Sequence, residues 1–146
     1  MKYLGALLIL CGCIGISHLY ETVEKVKIKN TKEIRDFVSF ARNKIDYFLT
    51  PVDKLLSEFK SRLIDDIYNE KEDHKKYLIY ESIHFINDFF KNIGNGIKNE
   101  QIKLCDFTLK QLDFIIEKTD AEYKNKIRIF RTLTIFGGSC IIILII

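Results

Sequence analysis

The side chains suited to chemistry are few and far apart in this chain: three histidines, His18, His74 and His84, and four cysteines, Cys11, Cys13, Cys105 and Cys140. A transition-metal site needs such ligands in closely spaced pairs. In the body of the chain no histidine has a second histidine or a cysteine at that spacing, so no metal site is expected. His84 can be drawn with Glu81 and Asp88 as an acid–base set, but 20 carboxylates produce such trios by chance. No serine or cysteine nucleophile with a neighbouring base accompanies them. Gly94-Asn95-Gly96 follows a helical pattern instead of a strand and lacks the later glycine and lysine of a phosphate-binding loop. The expectation is a non-catalytic chain with no catalytic residue, no cofactor and no small-molecule substrate.

Two features remain as candidate sites. Cys105 is the single cysteine of the body, so no disulfide framework forms and the thiol is a candidate for joining two chains; the ordinary alternative is a small buried residue on a helix. Lys124, Lys126, Arg128 and Arg131 form a basic cluster ahead of an apolar tail, a pattern suited to contact with anionic membrane lipid. The net charge of +3 is too small to imply nucleic acid when carboxylates are interleaved with the lysines.

These groups must be positioned by a chain whose charge is unevenly spread over its 146 residues. Apart from Lys2, every charged residue lies between Leu19 and Arg131, leaving two uncharged ends. Met1-Lys2, the apolar run Leu4 to Ile16 and Gly15-Ile16-Ser17 have the three parts of a secretory signal peptide over residues 1–17. The apolar run is about 20 Å long as a helix, short of the ~30 Å needed to cross hydrocarbon. Cleavage after Ser17 is therefore expected in preference to an uncleaved signal anchor. Leu10-Cys11-Gly12-Cys13 has the outline of a lipidation site, but Ile14-Gly15-Ile16 continues the apolar core where a polar tether would follow. The tail, residues 132–146, reads as a membrane anchor or as an excised glycolipid-anchor signal with Glu122 to Arg131 as its spacer.

One proline and seven glycines argue against turn-dense all-β classes. Residues 18–30 alternate polar and apolar side chains and are read as a linker. Asn30 and Glu33 predict a capping box, followed by Ile34, Phe37, Val38, Ala41, Ile45, Phe48 and Leu49 at helical spacing. Thr50-Pro51-Val52-Asp53 predicts a second helix start with the stripe Val52, Leu55, Leu56, Phe59, Leu63 and Ile67. A bend is expected over residues 69–74. A third helix carries Leu78 to Ile93 and stops at Gly94-Asn95-Gly96, where left-handed backbone is accessible. A fourth carries Ile97, Ile102, Cys105, Leu109, Leu112 and Ile116 and continues through Tyr123, Ile127 and Phe130. The fold expected is all-α: a small antiparallel bundle of three to four amphipathic helices over residues 31–131, with the phenylalanines, including Phe107 and Phe114, in its core.

Two functions fit this build. The first is a non-catalytic exported or cell-surface protein that contacts a protein partner through a helix face. The second is a secreted amphipathic protein that binds lipid or membranes, as host-directed effectors and lipid carriers do. Both place the chain in the secretory pathway, outside the cell or anchored at its surface.

Overall fold

A computed structural model describes the backbone of residues 2–48, 50–69 and 72–145, and their side chains except those of residues 2–4, 6–10, 13, 72–74, 141, 142, 144 and 145. Leu49 lies outside the described residues, and His74 and Cys13 fall outside the described side chains, as does much of the proposed leader. The elements are α1 (Lys2–Phe48), α2 (Val52–Phe59), α3 (Arg62–Tyr68), two short 3₁₀ turns (Glu72–Tyr77 and Tyr80–Ser82), α4 (Ile83–Asn92) and α5 (Lys98–Ile145). There is no strand among the described residues.

The first departure from expectation is α1, which runs through the proposed leader and through residues 18–30 without a break. That segment is helix, not linker. No proline or glycine lies between Ser17 and Phe48, and extending a helix costs far less than nucleating a second one. Lys25 and Glu21 pair at 2.7 Å one turn apart. The expected capping box is dissolved into tertiary contacts: Asn30 donates its amide to the Tyr77 carbonyl at 3.2 Å, and Glu33 accepts from the Ser61 hydroxyl at 2.6 Å.

A helix starts at this place as expected, but its cap is Pro51 (φ −61, ψ 152) and not the threonine that the pattern offers: the Thr50 hydroxyl donates to the Lys44 carbonyl at 3.4 Å, and Asp53 lies in the first turn. The single stripe expected from Val52 to Ile67 is instead cut at Lys60, whose left-handed backbone (φ 51, ψ 46) ends α2. Ser61 restarts the chain as α3 by accepting a hydrogen bond from the Ile64 amide at 3.3 Å. The break moves the buried position from Leu63, which is half-buried, to Ile64. α3 ends at Tyr68, where the bend was expected. α4 ends before Gly94 and Gly96, both with positive φ (85 and 102).

Two compact units are present, residues 26–118 and, separately, residues 1–25 with 119–146. The expected bundle domain of residues 31–131 thus loses its last turns to the other unit. In the 26–118 unit, α1 and α5 run antiparallel, tied by Arg35–Asp113 at 2.7 Å and Arg42–Asp106 at 2.6 Å. Ile34, Phe37, Val38, Ala41 and Ile45 of α1 are buried, as are Leu55, Ile64, Ile86, Phe89, Cys105 and Leu112 of the other helices. The rings of Phe37, Phe59, Phe89 and Phe90 pack around one another, with Phe37 in contact with the other three. In the other unit, Tyr20 stacks on Phe130 at 5.7 Å, and the Tyr123 hydroxyl donates to the Glu21 carbonyl at 3.4 Å.

Thr31 is fully buried. Its hydroxyl donates to the Lys27 carbonyl at 2.9 Å and accepts from the Ile79 amide at 3.2 Å, joining α1 to the segment that precedes α4. Thr31→Val keeps the shape and leaves that amide without an acceptor, so it is expected to cost roughly 1–3 kcal/mol. Thr31→Ser should recover most of the loss in urea unfolding. Equal midpoints for Thr31→Val and the unaltered chain would show that the hydroxyl carries no weight.

Candidate functional site

The residues singled out for chemistry do not converge. His84 sits 3.2 Å from Asp88 on the exposed side of α4, while Glu81 is turned to Lys118 at 3.1 Å, so the acid–base trio is divided between separate surface pairs. Among the described residues no group of three histidine, cysteine, aspartate or glutamate side chains is placed to hold a metal ion. Open clefts among the described residues include the following two. One, of about 300 Å³, lies within the 1–25 and 119–146 unit between Ile14, His18, Glu21, Arg131 and Ile135. The other, of about 270 Å³, lies within the 26–118 unit between Ile45, Pro51, Val52, Gly94 and Lys98. Ser17 also lines the first cleft beside His18, and no hydrogen bond joins their side chains among the described residues.

Cys105 is fully buried on the inner face of α5, so it is not a surface thiol able to join two chains. Burial, the larger influence, together with the neighbouring Asp106 pushes the thiol up to about 11. At about pH 8 the folded chain should therefore leave Cys105 unalkylated by a maleimide while the exposed Cys11 and Cys140 react. Peptide mapping by mass spectrometry reads the three separately. Alkylation of Cys105 as fast as Cys140 would contradict its placement.

The basic cluster is largely neutralised along its own helix. Lys124 pairs with Asp120 at 2.9 Å and Lys126 with Glu122 at 3.6 Å, and Arg131 reaches Glu21 at 3.7 Å. Glu21 is held below the usual carboxylate range chiefly by its hydrogen bond from Lys25. Arg128, exposed on the same stretch of α5, has no ion pair among the described residues. The four side chains do not present a continuous unpaired patch.

What the 26–118 unit does present is a face of α5 that periodicity assigns to the core. Phe107 and Phe114 are 54% and 65% exposed, and with Lys103 and Lys110 they recur every three or four residues along one line of the helix. Phe85 of α4 meets Phe107 edge-on, with ring centroids 6.1 Å apart. Beside this line Asp106 is engaged with Arg42, Asp113 with Arg35 and Glu81 with Lys118, and the exposed Glu117 continues the line one turn beyond Phe114. The Asp106 and Asp113 hydrogen bonds raise the Arg42 and Arg35 guanidiniums further above their ordinary range. Glu100 folds back over the loop, its Oε2 lying 2.6 Å from where a Cβ on Gly96 would be. Sequence reasoning missed this face because it counted phenylalanines as core without asking which side of α5 the other helices cover.

Comparison with known proteins changes the functional setting. The family model for stage III sporulation protein AB matches residues 65–146, more than half of the chain. No curated protein and no solved structure matches it. The match overturns the exported or cell-surface reading, the alternative of a secreted lipid-binding effector or carrier, and the secretory-pathway location. It also runs through residues 132–146, the segment read as an excised glycolipid-anchor signal, and so counts that tail as part of the family's own region. The transmembrane reading of the ends is not supported either: among the described residues no helix is long and apolar enough to cross a membrane. Over the segment that carries α4 and α5 this chain follows a sporulation protein, and it belongs to the stage III sporulation protein AB family.

Proposed function

We propose that this protein acts in stage III of sporulation as a non-enzymatic assembly part, a helical unit that holds another protein through an exposed helix face. The observation that carries this reading is the exposure of Phe107 and Phe114 on α5, inside the segment that matches the family. Exposed aromatic rings in line on a rigid helix are costly in water and are the kind of side chain that dominates protein interfaces. The scattered titratable groups support the non-enzymatic part of the proposal, since none of the pairs combines a nucleophile, a base and an enclosed cleft.

The test is genetic. In a spore-forming cell that carries this gene, deletion is expected to halt development at stage III, and the intact gene to restore spores. A triple substitution Glu81→Gln, His84→Ala and Asp88→Asn should restore spores equally well. A deletion strain that passes stage III normally would end the sporulation reading. Loss of spores from the triple variant at normal protein level and helicity would end the non-enzymatic one.

A further inference from the structure

We propose that the α5 face built from Lys103, Phe107, Lys110 and Phe114, together with Phe85 of α4, docks an acidic amphipathic helix of a protein partner; this deepens the assembly reading above and rests on it. The face is a narrow straight line: from Lys103 to Phe114 the helix rises about 16 Å, the length of a partner helix of about three turns. Phe107 and Phe114 supply the apolar anchors, and Phe85, touching Phe107, widens one edge of the seat. Lys103 and Lys110 lie between and beside the rings, and neither has a hydrogen bond or an ion pair among the described residues. The nearby acids Asp106, Asp113 and Glu81 are each bonded to a cation of this chain.

The seat therefore offers apolar contact with two unmatched positive charges, which selects a partner whose apolar stripe is flanked by carboxylates. A second copy of the same face is a poor occupant. Pairing two copies would bring four lysines onto one seam, where Asp106 and Asp113 are already bonded to Arg42 and Arg35 and the acid in line, Glu117, lies a turn beyond Phe114; like charges across an interface are strongly disfavoured.

The experiment uses the full-length chain and two fluorescent synthetic helices of about 18 residues that share one leucine face, one flanked by glutamates and the other by lysines. Fluorescence anisotropy is expected to show the glutamate helix binding roughly ten-fold more tightly than the lysine helix. F107A/F114A should weaken the glutamate helix by roughly ten-fold. K103E/K110E should reverse the preference, and K103R/K110R should keep it. Circular dichroism confirms that each variant retains its helices, as expected for substitutions on an exposed face.

Equal affinity for the two helices, no binding of either, or affinities unchanged by the substitutions would overturn the proposal. So would a dimer in sedimentation that F107A/F114A dissolves while the glutamate helix goes unbound, which would make a second copy the occupant. Capture of the chain by vesicles of an anionic phospholipid, lost in the same variants and without peptide binding, would overturn it in favour of a lipid surface. Failure here is separable from failure of the assembly reading. A K103E/K110E strain that sporulates normally removes this face alone, whereas a deletion strain that passes stage III removes the sporulation role and leaves the peptide measurements standing.

Discussion

Phe37→Ala is expected to lower the stability of the 26–118 unit by about 3–5 kcal/mol, the largest loss from any single truncation of its core. The ring is fully buried. It meets Phe59 edge-on at 5.3 Å, stacks on Phe90 at 5.8 Å and touches Phe89 at 6.4 Å, so α1, α2 and α4 all lose a contact at once. The cavity left is bounded by three rings on two other helices, Phe59 of α2 and Phe89 and Phe90 of α4, which cannot all move into it without disturbing their own packing. Urea unfolding should show a lower midpoint at an unchanged slope, the sign of lost stability with the same exposed surface. Phe114→Ala, on the exposed line of α5, is expected to cost less than about 0.5 kcal/mol. If the two substitutions cost the same, the assignment of inner and outer faces in this unit is wrong.

That contrast between two phenylalanines also marks what the amino-acid pattern could reveal. On α1 the stripe Ile34, Phe37, Val38, Ala41 and Ile45 was legible and is buried, because only one orientation removes most of the apolar side chains from water, while Phe48, counted with it, is 73% exposed at the end of the helix. On α5 the pattern is ambiguous. Cys105, Thr108, Leu112, Ile115 and Ile116 define the face that is buried, while Phe107 and Phe114 form a second apolar line at the same 3-and-4 spacing. Periodicity reveals that a face exists, but which face is covered depends on where α1 and α4 cross, and that is fixed by contacts distant in sequence, such as Arg35–Asp113. The exposed line, and with it the candidate interaction surface, was therefore hidden behind a rule that holds for most aromatic residues.

The boundaries that failed share one cause. Asn30 and Glu33 have the right chemistry to cap a helix, yet a capping residue works only when the chain before it is not already helical. With α1 arriving intact from Ser17, both side chains are free to reach Tyr77 and Ser61. Lys60 is the opposite case: a residue with no preference for left-handed backbone adopts it because Ser61 can then cap α3 and hold Glu33. Neither event leaves a local mark. The functional setting was misjudged for a similar reason, since a charged start followed by a short apolar run looks the same whether it is an export signal or the first turns of α1.

The loop after α4 shows the reverse, a local signal whose energetic meaning required the fold. Gly94 was legible as a helix stop, and its φ of 85 confirms the left-handed backbone. A Cβ at this position would also lie 2.7 Å from Cγ2 of Val52, at the start of α2. Gly94→Ala therefore combines two costs. The left-handed backbone contributes roughly 1–2 kcal/mol for a residue with a side chain, and the overlap with Val52 adds roughly 1–3 kcal/mol if the loop or α2 must shift. The two are separable in a double-mutant cycle. Val52→Ala removes the obstructing methyl, so Gly94→Ala introduced on that background should cost only the backbone share. A cost that is the same on both backgrounds would mean that the loop does not rest on α2 and that Gly94 serves the turn alone. A reduced cost would show that the glycine is required as much by the close approach of this loop to Val52 as by the end of α4.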